Sequence, residues 1–354
     1  MEIKITLNKN LKEKIQDESK LGFGNFFTDH MFLMDYKEGK GWHDPRIIPY
    51  QPINVDPSCL TFHYGQTVFE GLKAYRSAQD EILLFRPAEN FKRMNLSCDR
   101  LCIPRFDEKL ALEALKKLID IDRDWVPHQS DSSLYIRPFI IADEEFLGVH
   151  VSESYKFMII LSPSGPYYAS GLDPVKIYVE EKYVRAVPGG MGEAKTGGNY
   201  AVSLIGQAEA EKKGYSQVLW LDGIERKFIE EVGAMNIFFI IDDVVITPKL
   251  NGSILAGITR KSVLELLREQ DAQVEERKIS IDELVDAYDN DKLQEVFGTG
   301  TAAVISPVGE LMYKDKKMII NNNQIGPVSQ SLYDNLTAIQ WGRQPGPAGW
   351  SIKV

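Results

Sequence analysis

One lysine stands inside a glycine-rich run whose composition could support covalent chemistry. Residues 189–200 read Gly-Gly-Met-Gly-Glu-Ala-Lys-Thr-Gly-Gly-Asn-Tyr, so Lys195 is surrounded by five glycines, and a helix is predicted directly after it. Glycine allows other groups to approach the backbone closely. A lysine held there, near the positive end of a helix dipole, is expected to have a lowered pKa and to act as a Schiff-base amine. The alternative for this pattern alone is a surface loop with a solvated lysine.

Two further segments could bind an anion. Gly257, Ile258 and Thr259 open a predicted helix and offer backbone N–H groups and a hydroxyl. Residues 297–303 form a turn of small residues after an apolar strand, and the backbone amides around Thr301 could hold a phosphate or a carboxylate. The alternatives are a capped helix and an ordinary turn.

Two pairs of polar residues complete the set of candidates. Glu230 and Glu231 precede an apolar strand, where a buried carboxylate would need a cation such as a protonated pyridine nitrogen. Tyr135 and Arg137 are two residues apart on a predicted strand, so both project from one face and could bind a carboxylate. The alternatives are solvent-facing acids and a surface arginine. A lysine, an anion site and an acid are the groups that a pyridoxal phosphate site needs together.

The elements that must position these residues are short strands mixed with helices. Runs rich in β-branched and aromatic residues predict strands at 134–141, 156–162, 175–179, 217–221, 236–241 and 244–247. The last two are predicted to form a hairpin through a turn at Asp242 and Asp243. Apolar residues at helical spacing predict a helix over residues 199–213, with Asn199 as the candidate N-cap and Gly214 after its end. A second helix is predicted from Thr259, with a buried stripe that includes Val263 and Leu267.

The chain is predicted to form two domains. Its 354 residues exceed the size at which one hydrophobic core stops growing. A segment dense in Pro, Gly and Ser separates the strand at 156–162 from the strand at 175–179. We therefore predict an α/β (α+β-like) protein with a smaller N-terminal domain at 1–165, a linker at 166–174 and a larger, cofactor-binding domain at 175–354.

Composition indicates a globular protein that acts on small molecules. Hydrophobic residues make up 44% and charged residues 26% of the chain, and the formal net charge of -10 argues against a nucleic-acid partner. The three cysteines form no CxxC pair, so neither a disulfide framework nor a metal site is expected. We expect a cytoplasmic protein without a membrane partner, because no signal-like N-terminus and no run of 18 apolar residues is found.

Several blocks of the sequence carry a resemblance to a known family. Residues 27–36, 41–46, 62–75 and 195–200, which span much of the chain in order, resemble blocks of the fold-type IV aminotransferases. Within that family they are most similar to the larger branched-chain amino acid aminotransferases. The resemblance implies a two-domain fold with pyridoxal 5'-phosphate between the domains, and a homodimer.

The resemblance also assigns residues to the cofactor. Lys195 would form the Schiff base and move a proton during the reaction, and Glu231 would hold the pyridine nitrogen protonated. Tyr200 would hydrogen-bond the ring hydroxyl oxygen. The phosphate would be bound by four further residues: Arg93, Ile258, Thr259 and Thr301.

For the substrate, the resemblance implies one site that accepts both a branched alkyl chain and a carboxylate. Backbone amides around Thr301 and Ala302, with Tyr135 and Arg137, would hold the α-carboxylate or the distal carboxylate of glutamate. Tyr64 and Phe69 would line the aliphatic pocket, and Tyr167 on the linker would close over it.

Two positions depart from the family pattern. Some animal members carry a redox CxxC pair where this chain has Ala303 and Ser306, so no thiol regulation is expected there. Ala234 stands where some members have a threonine hydroxyl near the substrate, which leaves the details of carboxylate binding open.

The resemblance predicts reversible ping-pong transamination, in which L-leucine, L-isoleucine or L-valine gives its amino group to 2-oxoglutarate and L-glutamate forms. One alternative is a lyase of the same fold that releases pyruvate from aminodeoxychorismate. A second is a D-amino acid aminotransferase, whose family members are shorter at the N-terminus. A third is a binding protein with a vestigial site, which the presence of lysine, acid and phosphate-binding residues disfavours.

Overall fold

The computed structural model describes residues 1–165 and 171–354. They group into two compact units. Unit 1 comprises Met1–Tyr167, Ala194–Gly197 and Ala338–Val354, and unit 2 comprises Tyr168–Glu193 and Gly198–Thr337. Each unit contains its own mixed sheet, so the predicted combination of α and β structure in two domains is present.

The strands are short, as the sequence predicts. Within the described residues they are, in chain order, β1 (Lys4–Ile5), β2 (His30–Lys37), β3 (Gly41–Pro49), β4 (Thr67–Phe69), β5 (Leu72–Arg76), β6 (Ile82–Phe85), β7 (Ser133–Ala142), β8 (Ser154–Ser164), β9 (Val175–Glu180), β10 (Gln217–Leu221), β11 (Ile229–Val232), β12 (Met235–Ile241), β13 (Val244–Pro248), β14 (Val274–Arg277), β15 (Leu293–Gly300), β16 (Val304–Tyr313), β17 (Lys316–Ile319) and β18 (Ser351–Lys353).

The helices of the described residues are α1 (Leu60–Tyr64), α2 (Pro87–Arg100), α3 (Glu108–Ile121), α4 (Gly197–Lys212), α5 (Ile258–Glu269), α6 (Ile281–Asp289) and α7 (Pro327–Gln340). Short 3-10 helices occur at Glu18–Lys20, Arg123–Trp125 and Asn321–Asn323. In these parts of the chain every helix is too short or too polar to cross a lipid bilayer.

The sheet of unit 1 has a largely apolar face and a mixed face. Its strand order is β1-β3-β2-β8-β7-β5-β6-β18, and β4 also pairs with β7. Ile136 and Ile140 on β7 belong to a buried cluster that includes Phe91 of α2 and Leu118 of α3. Because side chains alternate along a strand, Tyr135 and Arg137 project from the opposite face. That second face carries the predicted carboxylate-binding residues.

The sheet of unit 2 follows the order β11-β10-β9-β16-β15-β12-β13-β14, with β17 paired to β16 and β11 also paired to β12. Asp242 and Asp243 form the two-residue turn between β12 and β13, with φ of 49° and 65°. Positive φ at both positions is the geometry that two-residue hairpins favour, and aspartate tolerates it. The predicted hairpin is confirmed.

All the predicted strands are present, and their ends lie within two residues of the predicted ends. The two predicted helices begin at other residues than predicted. The helix predicted from Thr259 begins at Ile258, and its predicted stripe is buried. The helix predicted from Asn199 begins at Gly197, so Asn199 is not its N-cap. The Asn199 amide instead donates a hydrogen bond to the Met191 carbonyl at 2.6 Å, inside the preceding glycine-rich loop.

Helix α4 packs through its smallest residues. Gly206 and Ala210 are buried, whereas Val202, Leu204 and Ile205 are 48%, 65% and 49% exposed. An added Cβ at Gly206 would lie 2.7 Å from the Trp220 ring. The apolar residues that predict this helix are therefore not the residues that dock it.

Two segments of the predicted C-terminal domain belong to unit 1. Thr196 forms a β-bridge with Val68 of β4, in agreement with the assignment of Ala194–Gly197 to that unit. Strand β18 pairs antiparallel with β6, which assigns the last residues to it as well. A prediction with one domain boundary, between residues 165 and 175, places both segments in the C-terminal domain. Their place in unit 1 depends on strand pairing between distant parts of the chain, which local sequence does not show.

We predict that Gly206→Val weakens the docking of α4. The added side chain would collide with Trp220, and such overpacking costs about 1–3 kcal/mol. Helix propensity itself favours valine over glycine, so a lower free energy of unfolding would result from the collision with Trp220. Urea denaturation of the full chain measures this free energy. Ala208→Val, at an exposed position of the same helix, is the matched control and should change the free energy of unfolding by less than about 1 kcal/mol.

Candidate active site

The backbone of Lys195 is fixed on the edge of the unit 1 sheet. Its N–H donates to the Ser97 hydroxyl at 2.9 Å, and its carbonyl accepts from the Phe69 N–H at 3.0 Å. The hydroxyl of Thr196 donates to the Thr67 carbonyl at 2.7 Å. The glycine-rich run is therefore anchored on both sides of the lysine. This arrangement argues against the alternative of a solvated surface loop.

Four of the predicted residues, Lys195, Phe69, Arg137 and Tyr135, form one group in unit 1. The Lys195 ammonium lies 4.8 Å from the centre of the Phe69 ring, and the Arg137 guanidinium carbon lies 4.9 Å from the same centre. Arg137 also donates a hydrogen bond to the Tyr135 hydroxyl at 3.1 Å. Cations within about 6 Å of a ring centre are attracted to its face. The Lys195 amine and the Arg137 guanidinium therefore contact the same aromatic ring.

A buried ion pair lies beside the lysine. Arg93 on α2 donates from Nε to Glu70 Oε1 at 2.7 Å and from Nη2 to Oε2 at 2.9 Å. Glu70 also accepts from the Asn90 amide at 2.9 Å and is fully buried. Burial by itself raises the pKa of Glu70, but Arg93, Lys195 and Asn90 together lower it below its usual value. Glu70 therefore stays ionised and holds the Arg93 guanidinium in place.

Glu70 was not among the sequence candidates. The available signal was an acid in the apolar run Val-Phe-Glu-Gly-Leu, between two short strands. Arg93 was predicted to bind phosphate, and the structure places its guanidinium in this pair.

Tyr64 and Tyr167 are two other residues predicted to bind the substrate. Tyr64 ends α1, is 44% exposed, and its hydroxyl donates to the Leu147 carbonyl. Tyr167 lies outside the described residues.

Unit 2 contains a second buried acid. Glu231 on β11 accepts from Arg185 Nη2 at 2.5 Å, and both side chains are less than a tenth exposed. Its other oxygen accepts from the Asn236 amide at 3.1 Å. Arg185 was missed, because nothing in its local sequence marks it and it lies far from Glu231 along the chain. The pairing shows that Glu231 is not one of the solvent-facing acids considered above.

The start of α5 is tied to this acid through Asn236. The amide of Asn236 that reaches Glu231 also donates to the Leu255 carbonyl at 2.9 Å, just before the helix. An added Cβ at Gly257 would lie 2.0 Å from Asn236 Oδ1, so only glycine fits there. Ile258 and Thr259 form the buried first turn. The first N–H groups of a helix lack intrahelical partners and attract anions.

The remaining predicted residues also lie in unit 2. Tyr200 is in the first turns of α4 and is partly exposed. Thr301 and Ala302 form the turn between β15 and β16 and are partly exposed. Nearby in sequence, the Thr299 hydroxyl on β15 is buried and has no hydrogen-bond partner among the described residues. Thr299 and Asn236 stand directly opposite each other on β15 and β12, so both side chains project from the same face of the sheet.

The predicted site residues are therefore divided between the two units. Unit 1 supplies an amine, a cation for a carboxylate and a clamped arginine, and unit 2 supplies a buried acid beside a helix N-terminus. These are the parts that covalent chemistry on a phosphate-bearing cofactor requires.

Comparisons with known proteins agree with the chemistry that these residues indicate. The family model described as Amino-transferase class IV matches residues 67–311. A branched-chain-amino-acid aminotransferase 2 of Bacillus subtilis (strain 168) is 59% identical over 352 residues, which cover 99% of this chain and 97% of that protein.

Two solved structures are similar in fold. The Escherichia coli branched-chain amino acid aminotransferase matches with a TM-score of 0.77 and 27% identity, over 91% of this chain and 98% of that chain. The T.th. branched-chain amino acid aminotransferase complexed with N-(5'-phosphopyridoxyl)-L-glutamate matches with a TM-score of 0.72 and 27% identity, over 90% of this chain and 97% of that chain.

We predict that Glu70→Gln destabilises unit 1 by about 3–5 kcal/mol, because it leaves the Arg93 charge buried without its partner. Chemical denaturation at neutral pH measures the loss. Glu70 has a lowered pKa when folded, so its contribution is present above the unfolded carboxyl pKa and is lost as the pH falls through the folded value. The difference in free energy of unfolding between the variant and the wild type should therefore become smaller at acidic pH.

Glu38→Gln, at an exposed acid next to the same sheet, is the matched control and should leave the free energy of unfolding within about 0.5 kcal/mol of wild type. An equal effect of both substitutions would show that the Glu70–Arg93 pair does not stabilise the fold.

Proposed function

The chain belongs to the class IV aminotransferases, and from that premise we propose that it is a pyridoxal-phosphate-dependent branched-chain amino acid aminotransferase. L-Leucine, L-isoleucine or L-valine gives its amino group to 2-oxoglutarate, and the products are a branched 2-oxo acid and L-glutamate. The observation that carries the proposal is the anchored Lys195, whose amine shares the Phe69 ring with Arg137.

The residues present fit the cofactor. Glu231 is a buried carboxylate that Arg185 and Asn236 hold through hydrogen bonds to its charged form. The first turn of α5, with Ile258 and Thr259, is an N-terminus suited to a phosphate. In our proposal the phosphate contacts come from Ile258, Thr259, Thr301 and Arg93, and Tyr200 binds the ring hydroxyl oxygen.

When bound, pyridoxal phosphate supplies an aldehyde for the substrate amine and a ring that accepts the electron pair left on the α-carbon. Lys195 provides the amine that holds the cofactor and then takes the proton from the substrate α-carbon at Nζ. Glu231 would hold the pyridine nitrogen, and its negative charge would favour the protonated form of that nitrogen. Glu70 is a positioning residue, because it fixes the direction of the Arg93 guanidinium.

The substrate contacts are assigned by the chemistry of each group. Arg137, with Tyr135, binds a carboxylate, and the backbone amides around Thr301 and Ala302 bind a second one. Phe69 provides an apolar wall. Tyr64 and Tyr167 complete the aliphatic side in this proposal.

We also propose a homodimer that works in the cytoplasm. Large apolar side chains are exposed on unit 1, where Phe62, Leu147 and Val149 are 60%, 64% and 80% exposed, and on α4 of unit 2. Exposed apolar patches of this kind mark contact surfaces. The three cysteines are free, as is usual in a reducing compartment. Sedimentation equilibrium should give twice the chain mass of 40.1 kDa, and the mass of one chain would contradict the dimer.

We predict that Lys195→Ala abolishes transamination and the visible absorbance band of lysine-bound cofactor. Purified wild-type protein should form glutamate from 2-oxoglutarate with each branched-chain amino acid and not with D-alanine. Lys212→Ala, at an exposed lysine of α4, is the matched control and should keep both the band and the activity. Glutamate formation by Lys195→Ala at the wild-type rate contradicts the assignment of Lys195.

The same assay separates the alternatives. Release of pyruvate from aminodeoxychorismate without glutamate formation would indicate the lyase. Turnover of D-alanine would indicate the D-amino acid enzyme. Failure of the wild type to retain any cofactor would indicate the binding protein.

A further inference from the structure

A cleft in unit 2 lies on the face of β11 that the predicted cofactor acid does not use. Glu230 and Glu231 are neighbours on this strand, so their side chains project from opposite faces of the sheet. Glu231 is the acid predicted to hold the cofactor, whereas Glu230 lines the cleft. The other walls come mainly from the segments that follow β10, β13 and β14, and every lining residue belongs to unit 2.

Glu230 is a buried acid with one oxygen that lacks a partner among the described residues. The residue is 2% exposed. Its Oε1 accepts from the Asn251 amide at 3.2 Å and from the Ser253 hydroxyl. Its Oε2 is also buried, and no described residue donates a hydrogen bond to it. Buried carboxylates are normally paired, so this oxygen requires a donor that the described residues do not supply. Because Glu230 lines the cleft, a ligand there can supply it.

The remaining walls of the cleft indicate the kind of donor. Lys249 and Lys278 stand at the exposed rim, and the Lys278 ammonium lies 4.4 Å from the centre of the Phe228 ring. Phe228, Ile229 and Ile254 add apolar surface. A buried acid with two cations at the rim matches a molecule that carries both an ammonium group and a carboxylate. An α-amino acid has this arrangement of charges.

Two other acids line the cleft without changing this conclusion. Asp222 accepts hydrogen bonds from four backbone N–H groups, so its carboxylate is already satisfied. Glu225 is exposed to solvent. Across residues 1–165 and 171–354, no group of three or more His, Cys, Asp or Glu side chains could hold a metal ion. The donor set therefore favours an organic ammonium group over a metal ion as the partner of Glu230.

The cleft fits a small ligand. Its volume is about 70 Å³. A water molecule needs at least about 10–15 Å³ on this measure, so the cleft takes a ligand of roughly five to seven heavy atoms. Alanine is of this size, whereas leucine is larger. The cleft is therefore not a second copy of a site for branched-chain substrates.

Hydrogen bonds inside unit 2 connect the cleft to the predicted cofactor acid. The Ser253 hydroxyl donates to Glu230, and the Ser253 carbonyl accepts from Arg185 Nη2. The same nitrogen of Arg185 donates to Glu231. These contacts form a continuous path from the cleft to Glu231. A cation bound at one end of such a path can change the surroundings of the acid at the other end.

We propose that this cleft binds an α-amino acid of about the size of alanine, in addition to the substrate that the candidate active site takes. The ammonium group of the ligand donates to Glu230 Oε2, and Lys249 and Lys278 bind its carboxylate. Occupancy of the cleft changes the surroundings of Glu231 through the path just described. The proposal goes beyond the function proposed above, because binding at Glu230 requires no transamination.

Calorimetry with 2-aminoisobutyrate tests the proposal. This α-amino acid has no hydrogen on its α-carbon, so it cannot be transaminated, and borohydride reduction of the cofactor-loaded protein removes the aldehyde with which it would react. The titrations contain saturating 4-methylpentanoate, a branched carboxylate that fills the proposed substrate site. Isopropylamine, which lacks the carboxylate, should bind more weakly than 2-aminoisobutyrate. Isobutyrate, which lacks the ammonium group, should not bind, because it offers no donor to Glu230.

Two variants separate the two ends of the ligand. Glu230→Gln removes the acceptor charge and should weaken the binding of 2-aminoisobutyrate and of isopropylamine by about tenfold each. Lys249→Met combined with Lys278→Met should weaken 2-aminoisobutyrate alone, by about tenfold. Both lysines are exposed, so this variant carries the test should Glu230→Gln fail to fold. Glu269→Gln, at an exposed acid of α5, is the matched control and should leave the dissociation constants unchanged.

Fluorescence of the reduced cofactor tests the path to Glu231. Binding of 2-aminoisobutyrate should change this emission in the wild type. Ser253→Ala breaks the contact with Glu230 and keeps the carbonyl that Arg185 uses, so this variant should bind the ligand without the change in emission.

The results distinguish this proposal from the proposed function. Failure of 2-aminoisobutyrate to bind would show that Glu230 meets only water, and binding that 4-methylpentanoate abolishes would place the ligand in the substrate site. Either result, or binding that Glu230→Gln leaves unaltered, overturns the amino acid cleft. Unchanged emission on binding overturns the path to Glu231. All of these results leave transamination of leucine by the wild type untouched, whereas a wild type without that activity overturns the proposed function and not the cleft.

Discussion

The fixed backbone of Lys195 is the constraint on which the rest of the site depends. Lysine has a long, mobile side chain, so its amine can be placed reproducibly only where the backbone is held. Here the residue is anchored through its own N–H and carbonyl, to Ser97 and Phe69. The segment crosses from one unit to the other for only four residues, Ala194–Gly197. Glycines on both sides of Lys195 allow the backbone of this segment to lie close to its neighbours in unit 1.

Each unit also keeps one arginine–carboxylate pair away from solvent. Glu70 with Arg93 in unit 1 and Glu231 with Arg185 in unit 2 are less than a tenth exposed or close to it. A buried ion pair contributes little net stability compared with apolar residues, but losing one partner is costly. We therefore interpret each pair as an interaction that holds one charged group in a fixed orientation. In unit 1 that group is Arg93, and in unit 2 it is the acid itself.

Local sequence patterns predicted the elements well and their long-range pairing poorly. Alternation and β-branched runs located β7 and β8, and the Asp242–Asp243 turn marked a hairpin. The docking face of α4 was not evident, because Gly206 packs on Trp220 while larger apolar residues face outward. Glu70 and Arg185 act through partners that are distant in sequence. No local periodicity reports such partners, whereas Lys195 stood out by its glycines.

The most direct measurement is the chemical identity of the lysine that holds the cofactor. Borohydride reduction of the cofactor-loaded protein fixes the phosphopyridoxyl group on its lysine, and peptide mass spectrometry then locates it. We expect one modified residue, Lys195, and loss of the label when leucine is added before reduction, because the substrate amine displaces the lysine. Stoichiometric label on another lysine would contradict the account.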